Sequence, residues 1–108
     1  MRNIKSDMPK LRHALKRRGV PTSKTYYGRI CAHQSYGVEL TKATWDEFIE
    51  ASIYVSNGAG RSYDEVTAAK YRAALIDACN ELGFTIQAHR WGDRVSDTSF
   101  MVNKDKYK

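Results

Sequence analysis

The sequence predicts a small single-domain α+β protein in which an antiparallel sheet of three to four strands packs on one long helix. Three observations predict this fold. A length of 108 residues suits one domain, 1–108. Apolar residues recur at helical spacing over 65–82. They alternate with polar residues over 84–91, as in a strand that is buried on one face.

The N-terminal segment, residues 1–24, carries most of the positive charge. It holds eight basic residues and one acidic residue, whereas the whole chain has a net charge of +6. We expect a helix over about 8–18, because Ser6 and Asp7 are capping residues and Gly19 ends the pattern. Three sizeable apolar residues anchor this helix, so we expect it either to dock loosely or to become fully ordered only when its basic face meets a partner. Its opposite arc carries Lys10, Arg12, His13, Lys16 and Arg17.

The next elements are less regular. Tyrosine and isoleucine favour a strand over 25–33. Gln34 and Ser35 would turn the chain into a short partner strand over 36–40. Thr44 and Glu47 then have the spacing of a capping box, so the apolar residues that follow predict a helix ending near residue 57.

A second capping box begins a long helix that ends at Leu82, with Gly83 as its left-handed cap. Its apolar face is broad, so we expect the helix to pack against more than one neighbour. The predicted core consists of Val66, Ala73, Leu75, Ile76, Phe84 and Ile86.

A hairpin follows, with strands over 84–91 and 95–102. Phe84, Ile86 and Ala88 would face inward, and the intervening residues, His89 among them, would face outward. Residues 103–108 are predicted to form a polar tail.

Composition excludes several classes of protein. Cys31 and Cys79 are too few for a disulfide framework, and we expect both to be reduced thiols. The longest apolar run has four residues, from Ala73 to Ile76, so no membrane span is expected. The N-terminus lacks an apolar stretch of the kind that secretory signals contain, which favours the cytoplasm. No cofactor is expected.

Catalytic motifs are weak in this sequence. His33 and His89 could serve as acid and base of a metal-independent ribonuclease, with Arg29 or Arg90 stabilising the phosphorane. Nothing in the sequence brings the two histidines together. Cys31, His33 and His89 lack a fourth ligand and the usual zinc spacing, so we expect no metal site. We expect a non-enzymatic protein and keep the ribonuclease as a third hypothesis.

The leading hypothesis is a non-enzymatic protein that binds nucleic acid, DNA or RNA. Its basic helix would contact phosphates, while aromatic residues on an open sheet face would stack on bases. The alternative is a small accessory or inhibitor protein, of a bacterial or phage type, that binds another protein or a nucleoprotein complex. The oligomeric state is left open. The predicted site residues are Lys10, Arg12, Lys16, Arg17, Tyr27, Arg29, Arg90, Trp91 and Arg94.

Overall fold

A computed structural model describes residues 3–22, 34–43, 47–57 and 64–107. Two helices and four strands follow one another as α1 (Ile4–Arg17), β1 (Gln34–Lys42), β2 (Ile49–Asn57), α2 (Glu65–Leu82), β3 (Ile86–Trp91) and β4 (Arg94–Val102). The strands form one antiparallel sheet in the order β1-β2-β4-β3. Because α2 packs on β2 and β4, the predicted α+β fold with a long helix on the sheet is confirmed.

Helix α1 begins four residues earlier than predicted. Asn3 is its N-cap, and the Asn3 side chain accepts a hydrogen bond from the Lys5 N–H. Leu11 and Leu15 are fully buried, and Ile4 adds a further apolar anchor. The expectation of loose docking is therefore wrong, since α1 packs on both α2 and β1 as part of the core.

The predicted helix after residue 44 is also wrong, because residues 49–57 form strand β2. Ile49, Ala51, Ile53 and Val55 are buried, and the residues between them are partly exposed. This period of two competes with the helical spacing in the same stretch, and pairing with β1 and β4 favours the strand. The capping-box residues 44–46 lie outside the described residues.

Strand β1 is longer than predicted, and residues 34 and 35 belong to it rather than to a turn. It pairs with β2, with Val38 opposite Ile53. The predicted strand over 25–33 lies outside the described residues. Gly37 has a φ of +148°, and the Pro21 carbonyl oxygen would lie 2.7 Å from a Cβ at this position. The close approach of residue 21 to β1 therefore requires glycine.

Helix α2 confirms the long predicted helix and its C-terminal cap, whereas its N-cap is Asp64 rather than the first residue of the predicted capping box, Ser62, which lies outside the described residues. Asp64 is the N-cap, and Gly83 adopts a left-handed conformation with a φ of 71°. The predicted core is only partly correct, because Leu75 is buried whereas Val66 and Ile76 are 74% and 40% exposed. One arc of α2 faces the sheet, and the opposite arc, which also contains Ala73, faces away from it.

The C-terminal hairpin is confirmed as β3 and β4, joined at Gly92 and Asp93. The prediction of a polar tail over residues 103–108 is wrong, because Asn103 is fully buried beyond β4. Its side chain accepts from the Thr85 N–H and donates to the Tyr107 hydroxyl, which in turn donates to Asp7 of α1 at 2.9 Å. These bonds attach the segment after the sheet to α1.

The core lies between the helices and one face of the sheet. Side chains on the other face, such as Glu50, Ser52 and Met101, are partly exposed, and no helix of the described chain packs on them. Neither described helix is both long and apolar enough to cross a membrane.

Candidate nucleic-acid interface

The exposed side of α1 is a basic surface, formed by Lys5, Lys10, Arg12 and Lys16. Because the helix buries Leu11, Ala14 and Leu15, these four cations lie away from the core. None of them forms an ion pair with a carboxylate in the described part of the chain. The single acidic residue of α1 is Asp7, which is itself buried. Among the residues that the structure describes, no carboxylate therefore pairs with the basic surface.

Lys5 belongs to this surface although the sequence interpretation did not include it. It precedes Arg12 by seven residues and Lys16 by eleven, so the three side chains lie within about 40° around the helix axis. The signal that could have revealed it is Asn3, since asparagine is a preferred N-cap residue and Lys5 then falls inside the helix.

Arg17 and Arg18 have a different role, because both reach helix α2. Arg17 forms an ion pair with Glu81. Arg18 donates to Asp77 at 2.9 Å and to Glu81 at 2.6 Å, and it also donates to the Ala14 carbonyl. Hydrogen bonds from Arg18 and Arg17 lower the pKa of Glu81. In turn, the carboxylates of Glu81 and Asp77 raise the pKa of Arg18. Arg17, a predicted site residue, thus contributes to helix docking.

The remaining predicted residues lie elsewhere in the fold. Tyr27 and Arg29 are outside the described residues. Arg90, Trp91 and Arg94 are exposed at the tip of the β3–β4 hairpin. Arg94 is eight residues from Val102, so the tip lies about 26 Å along β4 from the end that adjoins α1. The basic helix and the hairpin residues, which the sequence analysis assigned to one binding surface, therefore form two separate surfaces.

An imidazole–carboxylate pair occupies the sheet face opposite the helices. His89 Nε2 lies 3.3 Å from Glu50 Oε2, without the alignment of a hydrogen bond. The Trp91 ring stacks on the imidazole at 5.8 Å between centroids, and Phe48 meets it edge-on at 5.9 Å. This packing holds His89 against the sheet. Because Glu50 is negative, the pair is a poor receptor for phosphate.

His33, the proposed partner of His89 in ribonuclease chemistry, lies outside the described residues. Within the described residues, His89 is thus paired with the Glu50 carboxylate rather than with a second imidazole. The described residues also contain no group of three His, Cys, Asp or Glu side chains placed to hold a metal ion. Burial raises the pKa of the Cys79 thiol to about 12, so this cysteine is not a nucleophile at neutral pH.

Two of the concavities lined by described residues lie near the predicted surfaces. One, of about 510 Å³, lies between the end of α1, β1 and α2; it is lined by Arg18, Tyr36, Lys70 and Tyr71, among others. The Tyr36 hydroxyl there donates to Asp64 at 3.2 Å. The other, of about 400 Å³, lies at the hairpin tip and is lined by Trp91, Arg94, Val95, Ser96 and Asp97.

Comparisons of the chain with protein-family models, with curated proteins and with solved structures find no match.

Proposed function

We propose that the protein binds nucleic acid through the phosphate contacts of α1, without catalysing a reaction. The observation that carries this proposal is the charge of the basic surface, Lys5, Lys10, Arg12 and Lys16, which forms no ion pair with any carboxylate of the described residues. Clustered unpaired cations gain from a polyanion, because each phosphate contact releases condensed counterions. A folded helix also presents these charges without a backbone ordering cost at binding.

The dimensions of α1 suit this role. Lys5 and Lys16 are eleven residues apart, which corresponds to about 16 Å along the helix axis. A nucleic-acid strand presents a phosphate about every 3.4 Å along a duplex axis, so about five phosphates pass within that length. The basic surface can therefore contact several phosphates of one strand. Phosphate contacts alone carry no sequence information, so we expect binding with little sequence specificity.

The test compares two charge-matched double variants. Arg12→Gln/Lys16→Gln removes two cations from α1, and Arg90→Gln/Arg94→Gln removes two from the hairpin tip. Binding to a short mixed-sequence DNA duplex, its single strand and the RNA counterparts is titrated at several salt concentrations. Each pair of substitutions changes the net charge equally, so a difference between the variants reports the position of the site.

We expect the α1 variant to bind all of these probes more weakly, with a salt slope shallower by up to about 1.8 for two lost phosphate contacts. The hairpin variant should retain the slope of the unmodified protein. An unchanged slope in the α1 variant, or an unmodified protein that binds none of the probes at low salt, would contradict the proposal.

A second candidate function is protein binding through the hairpin tip. Trp91 and Val95 are 61% and 56% exposed, and both line the 400 Å³ concavity with Arg94. Exposed tryptophan and arginine beside an apolar side chain are typical of interface hot spots. This supports an accessory or inhibitor protein whose target is a protein or a nucleoprotein complex.

Affinity capture from a bacterial lysate, with and without nuclease, separates the two candidates. If the hairpin tip binds a protein, nuclease treatment leaves the captured protein in place and the Trp91→Ala substitution removes it. The Arg12→Gln/Lys16→Gln variant should still capture it. Capture that depends on nucleic acid and is insensitive to Trp91→Ala would exclude this second candidate.

A further inference from the structure

We propose that the protein forms a symmetric dimer in which α2 packs antiparallel against α2 of a second copy. The surface involved is the outer stripe of α2, formed by Val66, Ala69, Ala73 and Ile76. The structure leaves this stripe without a neighbour in the described chain, on the side of α2 opposite the buried residues Leu75 and Ala78.

The spacing of the outer stripe is that of a helix-pairing surface. Its members are separated by three, four and three residues, which is the alternation of a coiled-coil seam. Val66 is 74% exposed and Ile76 is 40% exposed, so two large apolar side chains lie in solvent on one line. Isolated exposed apolar residues are ordinary, but aligned ones mark an interaction surface.

Shape complementarity identifies a second copy as the occupant. A two-fold axis through Ala73 places residue 69 of one helix opposite residues 76 and 77 of its partner, and the reverse. Each Ile76 then meets the small side chain of Ala69, and the two Ala73 residues meet at the axis. Small residues at the crossing point allow the helices to approach closely.

Charge complementarity selects the antiparallel arrangement. Lys70 and Asp77 lie on the same flank of the outer stripe, three residues before and four residues after Ala73. Across the two-fold axis, Lys70 of each copy therefore faces Asp77 of the other. Parallel pairing would instead put these flanks of the two copies on opposite sides of the interface, so Lys70 would not meet Asp77 of the partner. The Asp77 side chain is 72% exposed even though it accepts from Arg18, so it can accept a second donor.

The charge of α2 also permits self-association in a protein of net charge +6. Helix α2 carries two basic and three acidic side chains, whereas α1 is strongly basic. The helix that would face a second copy is thus close to neutral. Self-association through α2 leaves the basic surface of α1 available, so the dimer does not depend on the nucleic-acid proposal.

Sedimentation equilibrium over a micromolar to millimolar range tests the dimer. We expect the mass to rise from 12.3 kDa toward twice that value as concentration increases. Ala73→Glu should raise the dimer dissociation constant at least tenfold, because it places two carboxylates at the axis. Lys70→Asp should also weaken the dimer, since it sets a carboxylate in place of the ammonium group that faces Asp77, whereas Lys104→Asp should not.

Melting curves recorded at the lowest concentration test whether the two variants still fold, and we expect Ala73→Glu and Lys70→Asp to melt cooperatively as monomers. A constant mass of 12.3 kDa over the whole range would overturn the proposal. So would a dimer that tolerates Ala73→Glu, because its interface would lie elsewhere. A dimer weakened by Ala73→Glu and unaffected by Lys70→Asp would overturn the antiparallel arrangement.

Discussion

Asn103 connects the end of the sheet to α1 through a buried polar network. It is fully buried with a φ of 59°, a conformation that asparagine tolerates better than most residues. Its amide accepts from the Thr85 N–H and donates to the Tyr107 hydroxyl at 2.8 Å. The network explains why a segment of polar composition is ordered.

We predict that Asn103→Ala destabilises the protein by about 1–3 kcal/mol, because buried partners lose their hydrogen bonds. Chemical denaturation monitored by circular dichroism measures the change in the free energy of unfolding. Lys104→Ala is the control, because that side chain is exposed and should alter stability little. Equal effects of the two substitutions would contradict the role of the network.

The reactivity of Cys79 tests whether its thiol is buried in the folded protein. Burial against the sheet raises its pKa to about 12, so the thiolate is scarce at about pH 8. In a Cys31→Ser variant, we predict negligible alkylation of the folded protein by iodoacetamide and full labelling after denaturation. Rapid labelling under native conditions would show that Cys79 is accessible, against the packing described above.

At the scale of elements, the contact between α1 and α2 is both apolar and ionic. Arg18 and Arg17 lower the pKa of Glu81 below its ordinary value of 4.5. A carboxyl whose pKa falls on folding stabilises the protein above that ordinary value, and the contribution is lost as the pH falls through the folded pKa. The ionic part of the contact should therefore weaken in acid.

We predict that Glu81→Gln lowers the melting temperature at about pH 7, and that the difference from the unmodified protein shrinks toward about pH 3. The exposed turn residue Asp93 offers the control Asp93→Asn, which should change the melting temperature little at either pH. A difference that persists unchanged in acid would mean that Glu81 acts through packing rather than charge.

For the whole molecule, the separation of α1 from the hairpin tip has a consequence for function. The basic surface lies on α1 and the hairpin tip lies on β3 and β4, so the two surfaces have no residue in common. Substitutions on the two surfaces should therefore act independently. We predict that Trp91→Ala leaves the salt slope of nucleic-acid binding unchanged, and that combining it with Arg12→Gln/Lys16→Gln adds no further loss. Coupled effects in a double-mutant cycle would indicate one continuous interface.

Much of this fold could be predicted from local signals. Helix α2 follows helical spacing and is capped by Gly83. The first strand of the hairpin alternates apolar and polar residues in sequence, although a register shift between Ala88 and Arg90 interrupts its pairing with β4. Local spacing misled at β2, because Phe48, Ile49 and Ile53 satisfy a helical pattern while Ile49, Ala51, Ile53 and Val55 satisfy an alternating one. Pairing with both β1 and β4 resolves that ambiguity, and such long-range pairing is not encoded in local spacing.

The candidate site also combines features that local spacing predicts with features that depend on distant elements. Lys10, Arg12 and Lys16 could be assigned to an exposed helical arc from their spacing alone, because a helix with apolar anchors must present its other side to solvent. That Arg17 instead reaches Glu81 depends on where α2 lies. The position of Trp91 relative to α1 likewise depends on the length and direction of β4.

The α+β class, the long helix, the hairpin and the concentration of positive charge in the first helix all follow from residue spacing or composition within single elements. The buried arc of α2, the internal position of Asn103 and the separation of the two predicted surfaces could be established only from the packed fold. These features depend on how distant elements pack, and burial depends on the neighbours that a side chain meets as well as on its own polarity.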